Sequence, residues 1–82
     1  EHNMEFEVID IREREAHRRQ KIDRFRRLID QRRHNAEVVW RYMRIYGRCL
    51  SADRVKRLAE HLDEVSESIE GMEREYLAMV NR

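Results

Sequence analysis

No proline interrupts this chain, and its first glycine is Gly47. The only other glycine among the 82 residues is Gly71. Sandwiches and barrels need turn residues roughly every 8–12 positions. An all-β fold is therefore excluded, and long helices remain. A chain of this length is one domain or a fragment of one, and a domain this small buries only about 60–65 % of its unfolded surface. A layered enzyme core with a sheltered pocket does not fit that size.

The one clear break is Gly47-Arg48-Cys49-Leu50-Ser51. Gly47 sits where a left-handed C′ residue ends a helix. Ser51 is suited to be the next N-cap, with Leu50 and Val55 in the two positions of a hydrophobic staple. Asp53 favours the positive end of the following helix dipole. These signals predict a first helix over 12–47, a turn at 48–51 and a second helix over 52–81.

The second helix carries Val55, Leu58, Leu62, Val65, Ile69, Met72, Tyr76 and Met79 at alternating spacings of three and four. That is an a/d heptad stripe. Gly71 inside it costs about 1 kcal/mol relative to Ala, tolerated through fraying or because a neighbouring backbone approaches closely. The first helix places Ile22, Phe25, Ile29, Ala36, Val39, Met43 and Tyr46 on the same kind of stripe, interrupted by Arg32. Arg32 is expected to be at least half buried and paired with Glu64 or Glu67 across the hairpin. A turn this short folds the helices back antiparallel. Counting from it pairs Met43 with the Val55 region, Ile29 with Ile69, and Ile22 with Tyr76. Residues before about 18 then have no partner within the hairpin.

Residues 1–11 read as an N-terminal arm or an extension of the first helix. Met4, Phe6 and Val8 alternate with Glu5 and Glu7, as in a short strand. Met4, Val8 and Ile11 also continue the heptad register of the first helix. Residues 12–82 form a single hairpin domain.

Charge is abundant and segregated. Asp, Glu, Lys and Arg make up 43 % of the chain, and the net charge is +1. Residues 1–11 contain four acids and no base, 12–48 contain 13 bases and five acids, and 52–82 contain five bases and eight acids. All but one of the 13 central bases are arginine, whose rigid fork suits phosphates and carboxylates. With Ile22 as heptad a, Arg19, Arg26, Arg33 and Trp40 occupy e positions. Arg27, His34, Arg41 and Arg48 occupy f positions. Asp23, Asp30 and Glu37 fall at b. The six arginines Arg19, Arg26, Arg27, Arg33, Arg41 and Arg48 are expected to line one solvent-facing strip about 43 Å long, with the acids on a separate line. Such a strip could follow the phosphates of a nucleic-acid duplex by charge and shape, with RNA favoured because its deep major groove is not read by side chains. The alternatives are a protein partner and simple solvation, including ion pairing with the acidic second helix.

In plan, a helical hairpin with an arginine face resembles the small dimeric hairpin suppressors of RNA silencing of insect viruses, which lay helices along duplex RNA. It is similar in plan to plasmid copy-control hairpin dimers as well. The resemblance is one of architecture, with no shared motif, and it implies a dimer that binds a duplex.

A lone hairpin buries little. Between Ala36 and Tyr46 the first helix is apolar on nearly every side, and Val38, Trp40, Tyr42 and Ile45 lie outside its a/d stripe. A helix apolar all round is covered all round. The expected solution is a homodimer, two hairpins forming a four-helix bundle through these residues. A different protein, or the chain's own 1–11 segment, could cover them instead. A coiled-coil oligomerisation or adaptor domain of a larger protein is the alternative function. Trp40, Tyr42 and Tyr46 could stack on unpaired bases, with packing the commoner role.

No pair among His2, His17, His34 and His61 has the spacing of a metal clamp, and Cys49 is a lone thiol with no adjacent catalytic histidine. His34 and Asp30 are at helical pair spacing. Glycine-rich phosphate loops and nucleophile elbows are missing. A non-enzymatic protein without cofactor or metal is expected. There is no secretory or membrane-spanning stretch, so an intracellular location, cytoplasmic or nuclear, is expected.

Overall fold

A computed structural model describes the backbone of residues 2–82 and the side chains of residues 10–82. It contains two long helices packed against each other as a hairpin. Helix α1 spans His2–Tyr46, a 3-10 turn spans Gly47–Cys49, and helix α2 spans Ala52–Val80. The alternating Met4–Val8 stretch lies within α1, and no strand is present among the described residues. Nothing in 2–46 breaks a helix, and i,i+4 pairs such as Arg14–Asp10 at 2.8 Å support it from within.

The turn differs from expectation in one respect. Gly47 does not adopt a left-handed conformation, since no glycine has positive φ. The chain instead tightens into the 3-10 turn, with Leu50 N donating to Gly47 O at 3.4 Å. It then reverses through extended Leu50 and Ser51, which have ψ near 150° (152 and 151). Ser51 is the N-cap of α2, its Oγ accepting from Arg54 N at 3.2 Å.

The core is small. Ile29 and Ile69 are the only hydrophobic residues fully buried among the described residues, at 0 % and 7 % exposure. They are the pair that counting from the turn places opposite each other. Around them Ile22, Phe25, Ala36, Val39, Met43, Val55, Leu58, Leu62, Val65, Met72, Tyr76 and Met79 are half-buried. The a/d stripes therefore meet, but one hairpin covers each from one side only.

Arg32 departs from its expected role. It is exposed and has no ion pair among the described residues. It lines a shallow groove beside the seam with Leu28, Ala36, His61, Leu62 and Val65. Its stem can lie on those apolar atoms while the guanidinium stays in water, which avoids burying a charge. The ion pair that does cross the hairpin is its neighbour's, Arg33 with Glu73.

At the open end, Arg18 Nη2 donates to Met79 O at 2.8 Å. No basic residue lies in the last turn of α2. Arg18 thus brings, from the other helix, the positive charge and the donor that a helix C-terminus favours. Below Arg18, α1 continues without α2 beside it. The result is a rod of 73 × 17 × 14 Å with a radius of gyration of 20.5 Å. A compact chain of 82 residues would have about 12 Å.

Candidate interaction surface

The six arginines do not form one free strip. Around a helix the heptad positions follow the order a, e, b, f, c, g, d, so e flanks the seam and b lies between e and f. The carboxylates of Asp23, Asp30 and Glu37 consequently sit between the two arginine rows and not on a line of their own. Arg26 pairs with Asp30 at 3.2 Å, and its guanidinium lies 5.4 Å from the Tyr76 ring centroid. Asp30 is thereby engaged by Arg26 and not by His34. Arg33 meets Glu73 on α2, and Glu73 Oε1 has lost contact with solvent. Arg19 pairs with Glu15 at 3.6 Å. Arg27, Arg41 and Arg48 are exposed and make no ion pair among the described residues. Arg48 lies in the 3-10 turn, beyond the end of α1.

The apolar residues proposed for a dimer interface divide between two faces. Trp40, at an e position, borders the seam with Leu62, Ser66 and Ile69, and Arg44 stacks over its ring at 4.9 Å from the centroid. Val38, Tyr42 and Ile45 lie at c and g positions, on the side of α1 turned from α2. They are exposed, Ile45 by 69 %. Tyr42 also packs on Tyr46 with ring centroids 5.1 Å apart. This is a row of large apolar side chains in water, where a chain that needed no partner would place polar ones.

The N-terminal segment cannot cover that row in its own chain. Residues 7 and 42 are separated by about 52 Å along one continuous helix. Self-coverage by 1–11 is excluded by the straightness of α1.

Arg18 and Arg44 make contacts that the charge pattern did not single out. Arg18 could have been found from its d position at the level where α2 ends. Arg44 is four residues beyond Trp40, a spacing that brings the two together on a helix. Among the described residues, no cluster of His, Cys, Asp and Glu could hold a metal ion. No helix among the described residues is long and apolar enough to cross a membrane. No protein-family model matches the chain, and neither a curated protein nor a solved structure matches it significantly.

Proposed function

We propose that the chain is a non-enzymatic assembly module, a helical hairpin that associates with a second copy of itself through the outer face of α1. The observation that carries this reading is the mismatch between its core and its surface. Among the described residues only Ile29 and Ile69 are buried hydrophobic residues, while Val38, Tyr42 and Ile45 on that outer face are each at least 42 % exposed. Covering such a row recovers roughly 25 cal/mol for each Å² of apolar surface removed from water. A four-helix bundle is the expected product.

Sedimentation equilibrium tests it. The wild-type chain should sediment at twice its 10.2 kDa mass, and Tyr42→Asp/Ile45→Asp should sediment as a helical monomer. A wild-type monomer at about 100 μM, a concentration at which even weak assemblies form, would sink the proposal.

Arg27, Arg41 and Arg48 favour a second reading, duplex binding, because they are exposed and free of carboxylates. A gel shift with duplex RNA, duplex DNA and single strands checks it. A duplex shift that weakens steeply with salt and is lost in Arg27→Glu/Arg41→Glu would make the face a phosphate-binding surface. No shift at about 50 mM salt, where phosphate contacts are strongest, would end that reading.

A further inference from the structure

The two ends of α1 are opposite in charge. The N-terminal end, residues 1–11, contains Met4, Phe6, Val8, Ile9 and Ile11 among Glu1, Glu5, Glu7 and Asp10, with no base. It lies beyond the reach of α2, whose end is clasped by Arg18, and Ile11 is 56 % exposed. The turn end, residues 38–57, exposes Val38, Tyr42 and Ile45. The same stretch of α1 and the turn carries Arg41, Arg44 and Arg48, with no acid between residues 38 and 52. An acidic apolar segment and a basic apolar face thus sit on one rod, too far apart to meet.

We infer that a second copy lies antiparallel along α1, so that residues 4–11 of each chain cover the Val38–Tyr42–Ile45 face of the other. This rests on the self-assembly reading above and specifies its geometry. Antiparallel pairing brings both mismatched ends together at once, as the same contact made twice about a two-fold axis, which closes the assembly. Parallel pairing would stack acidic segment on acidic segment and basic turn on basic turn. Like-charge juxtaposition of that kind selects against an arrangement, while opposite patches steer and align partners. The middle of α1, around Arg24 and Arg27, is basic and exposed, so it adds no attraction at the two-fold axis, and both the apolar contact and the charge pairing are concentrated at the two ends. The interface buries Arg41 and Arg48 against carboxylates. Glu5 and Glu7 then act as the counter-ions that these arginines lack among the described residues of their own chain.

The exposed lone thiol of Cys49 gives the test. Spin labels on Cys49 of the wild-type dimer should lie roughly 70 Å apart if residue 7 faces residue 42 of the other copy, from the 1.5 Å rise per residue. A parallel dimer would bring them within about 20 Å, and a dimer joined only through the acidic segments would separate them by more than about 100 Å. Either of those distances overturns the antiparallel arrangement while leaving self-assembly standing, whereas a monomer removes both. Phe6→Asp/Ile9→Asp should weaken dimerisation at least about tenfold, the scale of losing central interface anchors, with helicity retained. Glu5→Lys/Glu7→Lys should weaken it too, and adding Arg41→Glu/Arg48→Glu should restore it. Unchanged affinity in Phe6→Asp/Ile9→Asp, or failure of the charge swap to rescue, would show that the acidic segment is not the occupant.

Discussion

At the residue scale, the two glycines have different standing. Gly71 is not held by a close neighbour. A Cβ there would meet only the flexible end of Arg74 at 3.8 Å, an ordinary contact. Close backbone approach is therefore not the reason for this glycine. Gly71→Ala should stabilise the folded chain by about 0.5–1 kcal/mol, through helix propensity and a less flexible unfolded chain. Thermal melts by circular dichroism would record it as a rise of about 4–8 °C per kcal/mol. An unchanged or lower midpoint would mean that Gly71 is needed in an interface. Gly47 meets nothing within 4 Å at the Cβ position and has no positive φ, so Gly47→Ala should be tolerated. Ser51 is the opposite case. Its hydroxyl satisfies an amide of the first turn of α2, and Ser51→Ala should cost about 1 kcal/mol in chemical denaturation. The Arg33–Glu73 pair should couple more weakly. Both side chains keep partial solvent access, at 46 % and 33 %, so a double-mutant cycle with Ala should return at most about 1 kcal/mol.

At the scale of the elements, most of the hairpin is legible in the order of its residues. The stripes from Val55 to Met79 and from Ile22 to Tyr46 are local, periodic signals. The cap at Ser51 needs only the residues beside it. The burial of Ile29 and Ile69 is legible because a short turn between two uninterrupted helices places both in the middle of the facing stripes. The arginine strip is less legible, because its fate depends on what lies across the seam. Arg26 and Arg33 are at e positions, next to the a/d stripe, and Tyr76 and Glu73 opposite them draw them inward. Arg32, one residue earlier in a nominal core position, stays in water because its long stem allows it. Periodicity assigns a face. Whether a long charged side chain uses that face or leans off it is decided by partners forty residues away. Arg18 makes the same point, since its partner is the Met79 carbonyl of the other helix. Arg18→Ala should loosen the open end of the hairpin. Amide hydrogen exchange should rise in the last turn of α2 and stay unchanged near Ser51.

At the scale of the whole molecule, the hairpin is one layer thick along its length, and its extent of 73 Å is set by α1 alone. Little surface is removed from water within the chain, so folding and association are expected to be coupled. The melting midpoint of the wild type should rise with protein concentration, as it does whenever a partner binds only the folded state. Tyr42→Asp/Ile45→Asp should melt lower and at one temperature whatever the concentration. A concentration-independent wild-type midpoint would show that the hairpin is stable alone, and its apolar row would then need another explanation.

The continuity of α1 through residues 2–46 has a kinetic consequence. Many chains that self-associate first fold a sticky segment back onto themselves, and that closed form must open before a partner can enter. A stiff helix that keeps its two ends apart has no such closed form. Association should then follow plain second-order mixing kinetics, without a lag and without a slow unimolecular opening step, its rate scaling with the square of the concentration of free rods.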